Sequence, residues 1–286
     1  DGWGRPATAE GDDGAPPKSR TTVTIQRART IIARNESPDI PFTQSINPYQ
    51  GCEHGCIYCY ARPTHAFHDL SPGLDFESRL LAKPDAAKLL RAEIAKKGHV
   101  PTPIAFGTNT DAYQPIERDW KIMRGCLEVL AECNHPLTIT TKSDRVVRDL
   151  DLLAPMAAKG LVAVAISITS LDPKIHRTLE PRAARPERRL AAMRELRAAG
   201  VEVELSRYDG MLHGFLAFPT PQADQALAVA RQQHLLQARD PVAPQRAVPV
   251  VLFHPRIAVA LLPQRLPVLG TAVAPAREDE NVRRFH

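Results

Sequence analysis

Hydrophobic and polar positions are patterned differently in successive parts of the chain. Residues 1 to about 20 mix Gly, Asp, Pro and Ala without periodicity, which predicts a disordered leader. From Thr21 to Ile40 short apolar pairs stand between charges, and residues 43–47 read as a short strand running into Pro48-Tyr49. A regular alternation follows. Residues 85–97 predict a helix, with Ala86, Leu89, Leu90 and Ile94 at three- and four-residue spacing behind Pro84. Residues 103–106 read as a buried strand ending at Gly107. Residues 117–133 predict a second helix, with Ile122, Leu127 and Leu130 on one face. Residues 137–140 form another strand, followed by a helix over 144–159. Residues 161–168 are almost continuously apolar and β-branched, as a strand covered on both faces should be. A helix over 186–199 stops at Gly200, and strand resumes over 201–205.

Strands alternating with helices predict repeated βαβ units, an α/β fold on a parallel sheet of about five strands. Chemistry in such sheets gathers at the carboxyl ends of the strands. Beyond residue 205 the pattern changes. Residues 221–236 fit one more helix. From about residue 238 prolines recur at 241, 244, 249, 255, 263, 267 and 275. That spacing opposes helices and central strands, so residues 238–286 are expected to be a poorly ordered tail.

Composition narrows the class. With 286 residues, 43% hydrophobic, 24% charged and 5% aromatic, the chain is neither a membrane protein nor a fibre nor wholly disordered. The net charge of +5 permits an anionic partner without requiring one. No segment approaches the roughly eighteen apolar residues of a membrane span. The N-terminus carries no apolar signal core, so a cytoplasmic location is expected.

The candidate chemistry lies in Gly51-Cys52-Glu53-His54-Gly55-Cys56-Ile57-Tyr58-Cys59-Tyr60, a C-x3-C-x2-C spacing. Thiols this clustered point to a metal rather than to disulfides. Two readings stand side by side. Three thiolates can wrap one corner of a cubane cluster and leave its fourth iron open, with glycines at 51 and 55 allowing tight turns. Alternatively, a structural zinc ion takes His54, His65 or His68 as fourth ligand. Cys126 and Cys133, on the second predicted helix, read as buried small hydrophobes.

The loop, with Tyr58 just before its last cysteine, resembles the signature of the radical S-adenosylmethionine (SAM) superfamily. The run from Ser37-Pro38-Asp39 through Asn47-Pro48-Tyr49-Gln50-Gly51 is similar to a bacterial subfamily related to spore photoproduct lyase. So are Ser71-Pro72-Gly73-Leu74-Asp75-Phe76-Glu77, the block from Gly107-Thr108-Asn109-Thr110-Asp111 to Glu117, and Glu180-Pro181-Arg182-Ala183. The resemblance covers residues 20 to 200 and implies a (β/α) barrel. It implies a [4Fe-4S] cluster on Cys52, Cys56 and Cys59, and SAM chelated to the open iron and cleaved to a 5′-deoxyadenosyl radical. It also implies an electron donor such as flavodoxin or ferredoxin. Tyr58 then matches an aromatic contact to the adenine, with Thr108, Asn109, Lys142, Ser167 and Thr169 at the strand ends. Among these, Lys142 and Ser167 would meet the methionine carboxylate and the ribose, and Arg182 another carboxylate. Arg177, Arg182, Arg185, Arg188, Arg189, Arg194 and Arg197 make the fourth connection basic. They fit either a nucleic-acid backbone, by analogy with the lyase, or a solvated helix face.

The resemblance stops near Val201. Residues 208–215 are similar to the end of an α/β-hydrolase of the hormone-sensitive-lipase type, where His213 would be the triad base. No G-x-S-x-G elbow accompanies it. The expectation is a chimeric chain. It comprises a radical SAM core over 21–205, truncated after about five strands, a hydrolase-like segment over 206–237, and the Pro-rich tail. A remnant that binds a cluster or zinc without turnover is the alternative.

Overall fold

Four of the predicted strands and the helices between them are the frame on which everything else is hung. The computed structural model describes residues 21–37, 40, 42–201, 203–208, 248–254 and 257–260, the last three stretches as strands and their register. The leader, His213 and the helix expected over 221–236 lie outside the described residues.

The strands are β1 (Thr22–Ile25), β2 (Ala33–Arg34), β3 (Gln44–Ile46), β4 (Tyr49–Gln50), β5 (Arg79–Ala82), β6 (Ile104–Phe106), β7 (Leu137–Thr141), β8 (Val162–Ile168), β9 (Val203–Tyr208), β10 (Val248–His254) and β11 (Ile257–Ala260). The helices are α1 (Asp75–Ser78), α2 (Ala86–Ile94), α3 (Glu117–Trp120), α4 (Ile122–Glu132), α5 (Leu150–Ala158), α6 (Pro173–Leu179) and α7 (Pro186–Ala198), with 3₁₀ turns at Arg62–His68 and Asp144–Asp149.

The larger sheet has the order β11-β9-β10-β8-β7-β6-β3-β2. From β3 to β9 every neighbouring pair in that order is parallel. Only β2 and β11, at the two ends, run antiparallel to their neighbours. Phe106 faces Ile139 and Ile139 faces Val164 in register, so one apolar layer crosses three strands. A small second sheet, β1-β5-β4, joins strands from both sides of the cysteine loop, β1 and β4 ahead of it and β5 after it. The core packs Leu90, Leu127, Leu130, Met156 and Leu196 from the helices against Phe106, Ile139, Val164 and Ile166 of the sheet. Each such fully buried side chain contributes on the order of 2 kcal/mol.

Several expectations are corrected. The helix expected over 117–133 is two helices, because Lys121 adopts a left-handed conformation, φ 51°. The Glu117 carboxylate then accepts the N–H groups of Met123 (3.0 Å) and Arg124 (3.3 Å) and starts α4 afresh. The helix expected over 144–159 opens as a 3₁₀ turn capped by Ser143 and becomes α-helical only at Leu150. Helix α6, capped by the Asp172 side chain with Pro173 in its first turn, was not anticipated, nor was the β1–β5 pairing. Cys126 is buried as expected, whereas Cys133 is exposed at the end of α4.

The fifth expected strand exists as β9 but does not touch β8, since β10 lies between them. Within the Pro-rich segment, β10 and β11 join the sheet despite Pro249. That proline sits in the part of β10 paired with β9, ahead of the residues that pair with β8. A missing N–H is tolerated near the start of a strand. The remainder of 238–286 lies outside the described residues.

Candidate metal and cofactor site

Because β3, β6, β7 and β8 are parallel, their carboxyl ends bring Asn47, Thr108-Asn109, Lys142 and Thr169 to one side of the sheet. Gly107 makes the exit from β6 feasible. It has φ 79°, and a Cβ there would stand 2.0 Å from the Thr140 carbonyl oxygen. Asn47 organises the turn that follows. Its Oδ1 accepts from the N–H groups of Asn109 (3.1 Å) and Thr110 (3.4 Å), and its Nδ2 donates to Thr108 Oγ1 (3.3 Å). The cysteine loop reaches over to the same turn. Tyr60 donates its hydroxyl to the Thr108 carbonyl, and Asn109 Nδ2 donates to Thr64 Oγ1 at 3.3 Å.

The loop itself has no regular structure, so its backbone groups are met by other segments, as buried polar groups must be. Cys52 N–H donates to the Phe76 carbonyl (2.8 Å) and Ile57 N–H to that of Leu179 (3.0 Å). Gln114 accepts from Glu53 N–H (2.9 Å) and donates to the Gly51 carbonyl (3.1 Å). Arg182 donates Nε to the Glu53 carbonyl (2.6 Å), and Arg62 donates to that of Cys56 (3.0 and 3.2 Å). Both guanidiniums pair with Glu77, one on each carboxylate oxygen. Gly55, φ 68°, is needed where Arg182 passes, since a Cβ there would meet the guanidinium at 2.3 Å.

Cys52 and Cys56 are buried and Cys59 is partly exposed. Burial pushes the Cys52 thiol well up and the Cys56 thiol up to about 12, with Lys142 pulling Cys56 back down. Binding a metal would therefore release protons from this loop. The donor set fits a cubane, in which each thiolate takes its own iron. Among the described residues no three His, Cys, Asp or Glu side chains are gathered around one ion position. Two histidines of the zinc reading have protein partners: His54 Nδ1 lies 3.4 Å from Asp111, and His65 Nε2 lies 2.9 Å from the Arg79 carbonyl. Burial alone would raise the Asp111 carboxyl, but His54, the Lys142 N–H and the Thr141 hydroxyl outweigh it and hold it down to about 2.

Beside the thiols a second group of side chains converges. The Tyr58 hydroxyl meets Thr169 Oγ1 (3.1 Å) and the Glu180 carboxylate, and Thr169 also donates to Glu180. Arg189 Nη2 reaches the other Glu180 oxygen at 2.7 Å. The Lys142 ammonium stands 5.7 Å from the centre of the Tyr58 ring. Burial would lower the Lys142 pKa, but Cys56, Glu180 and Asp111 together raise it, so the ammonium stays charged.

The structure thus brings Tyr58, Lys142 and Thr169 together beside Cys56, with Thr108 and Asn109 next to Tyr60. Ser167 is buried, and its carbonyl accepts from Arg189. Arg182 lies behind the loop, where its carboxylate partner is the protein's own Glu77. Of the arginine series, Arg189 is fully buried, against both surface readings of that series, and Arg188 pairs with Asp144. Arg177, Arg185, Arg194 and Arg197 are exposed. Sequence reasoning gave no role to Asn47, Asp111 or Glu180, and read Arg189 only as one of the basic series. Asn47 ends a strand, and Asp111 and Glu180 sit inside blocks already singled out.

Fold and site together define an α/β protein with a three-cysteine loop at the carboxyl edge of a parallel sheet. The family model of the radical SAM superfamily matches residues 46–214, and the chain belongs to that superfamily. An uncharacterized protein of Mycobacterium tuberculosis is 38% identical over 183 residues, 63% of this chain and 54% of the relative. An uncharacterized protein of Methanocaldococcus jannaschii is 30% identical over 157 residues, 55% of this chain and 56% of the relative. The chain spans about half the length of the curated relatives it matches. Among solved structures, spore photoproduct lyase complexed with dinucleoside spore photoproduct overlaps 62% of this chain and 48% of its own. The TM-score is 0.47 at 20% identity.

Proposed function

We propose that this chain holds a [4Fe-4S] cluster on Cys52, Cys56 and Cys59, binds SAM at the open iron, and uses the pair for radical chemistry. When bound and reduced, that pair supplies a 5′-deoxyadenosyl radical able to abstract hydrogen from a substrate. The chain's own residues bind and orient. Lys142 presents a positive charge to the methionine carboxylate, Tyr58 lends an aromatic wall, and Thr108, Asn109 and Thr169 offer hydrogen-bonding groups at the strand ends. Tyr60 ties the loop beside Cys59 to the β6 turn through its hydroxyl.

The observation that carries this reading is the Lys142 ammonium, at the carboxyl end of a parallel strand, standing over the Tyr58 ring of the cysteine loop and near enough to Cys56 to act on its thiol through its charge. The test is anaerobic reconstitution with iron and sulfide, followed by metal analysis and EPR of the reduced protein with and without SAM. A cubane signal that changes on adding SAM is expected, together with release of 5′-deoxyadenosine and methionine. Replacing any one of the three cysteines by Ala should abolish both. Zinc in place of iron, or a cubane indifferent to SAM, overturns the reading and leaves a metal-binding module without turnover.

A further inference from the structure

We infer that Glu180 is a positioning residue for this site, fixing Tyr58 and, through it, the Lys142 ammonium beside the cysteine loop. The inference rests on the reading above and deepens it. Glu180 is fully buried and its two oxygens face different partners. Oε2 takes Arg189 at 2.7 Å and lies 3.6 Å from His176 Nδ1. Oε1 takes the hydroxyls of Tyr58 and Thr169.

Arg189 cannot follow a moving carboxylate, because its other nitrogens are bound to the carbonyls of Ser167 (2.7 Å) and Ala184 (2.6 Å). Oε1 is therefore a fixed point, tied to the end of β8 and to the turn before α7. Tyr58 lies between two of the three thiols in sequence, so anchoring its hydroxyl fixes the direction of its side chain and the position of its ring. The ammonium of Lys142 rests against that ring. Enclosed by these partners, Glu180 touches neither metal nor cofactor and acts only through them. A buried ion pair such as Glu180–Arg189 adds little net stability over an apolar pair, which leaves geometry as its contribution.

The experiment uses the reconstituted full chain with Glu180→Gln, Tyr58→Phe and the double variant. Iron and sulfide per chain, thermal stability, and SAM affinity read from the EPR change are measured on each. Glutamine keeps the shape but cannot accept from both hydroxyls while also accepting from Arg189. Each single variant is expected to keep wild-type iron content and lose about tenfold in SAM affinity, the scale of one hydrogen bond to a charged group. The double variant should lose no more than the worse single, because both remove the same bond. Iron, stability and affinity falling together, unchanged affinity in the singles, or additive losses overturn the inference. If Glu180→Gln does not fold, Tyr58→Phe and Thr169→Val carry the same comparison, and wild-type affinity in both refutes it. A wild-type chain without any SAM response sinks the underlying reading instead, and the inference with it.

Discussion

Gly107→Ala tests whether the close approach of two strand exits shapes the site. The residue has φ 79°, and an alanine Cβ would sit 2.0 Å from the Thr140 carbonyl oxygen and 3.0 Å from its carbon, where 3.4–4 Å is ordinary contact. The left-handed backbone costs a non-glycine residue about 1–2 kcal/mol. The overlap adds about 1–3 kcal/mol, near the upper end, because the atom struck is backbone inside a paired strand and cannot rotate away. A loss of about 2–5 kcal/mol is a large share of the roughly 5–15 kcal/mol that stabilises a typical domain.

Gly98→Ala supplies the control. Gly98 has φ 87° with nothing within 4 Å of the added Cβ, so only the backbone cost of about 1–2 kcal/mol applies. Urea unfolding followed by circular dichroism gives both losses from the midpoint shift at constant slope. Gly107→Ala should exceed Gly98→Ala by at least about 1 kcal/mol. It should also weaken SAM binding at unchanged iron content, since Thr108 and Asn109 ride on the displaced turn. Equal losses in the two variants would refute the argument that β6 leaves the sheet against β7.

Glu117→Ala is expected to cost about 3–5 kcal/mol in the same assay, because Arg148 loses a buried partner and Tyr49 and the first turn of α4 lose their acceptor. A loss under about 1 kcal/mol would show that the cap and pair are idle. His99 and His135 face each other Nε2 to Nε2 at 2.8 Å, and both pKa values are lowered from 6.5. Burial is the main cause. Arg34 adds to it at His99, and His99 adds to it at His135 against the opposing pull of the Pro136 carbonyl. The unfolded chain therefore takes up protons first. Stability is fully present above the unfolded value of 6.5 and is lost as pH falls below it toward the depressed folded values. Melting temperatures across that window should fall more steeply for the wild type than for a His99→Gln/His135→Gln double variant, and parallel curves would contradict the assignment.

What could be read from the sequence follows from how local the cause is. The strands ending at Phe106 and Ile168 are continuous apolar runs, and helices α2 and α4 carry their apolar faces at helical spacing, so each was legible residue by residue. The cysteine loop was legible for the same reason, since spacing is a local property. Placing Lys142 and Thr169 near it needed only the rule that parallel strands share a carboxyl edge. The break at Lys121 was hidden, because no Gly, Pro or Asn marks it and its cause is a carboxylate reaching forward from Glu117. Asp172-Pro173 is a legible helix start, a capping carboxylate followed by a first-turn proline. Arg189 could not be told from its neighbours in an arginine-rich run. What sets it apart is Glu180, and only the fold shows which arginine that carboxylate meets.

The cysteine loop is held by charge rather than by secondary structure, and this has a physical reason. Only a small apolar group, Ala61 and Phe76, packs against Cys52 and Cys59. Its position has to come from contacts at its back and flanks. Glu77, carried on the single turn α1, binds Arg62 from one side of the loop and Arg182 from the other. Glu180 and Arg189 form the second clamp, reaching the loop through Tyr58. Desolvation roughly offsets the attraction in such pairs, so they contribute little to overall stability. They do penalise every alternative loop conformation, because each one strands a carboxylate or a guanidinium in a dry environment. The clamps draw on distant parts of the chain, Arg62 and Glu77 ahead of β5 and Arg182, Glu180 and Arg189 behind β8. The loop is therefore specified only when the sheet between them is assembled, which couples placement of the three cysteines to folding of the parallel core.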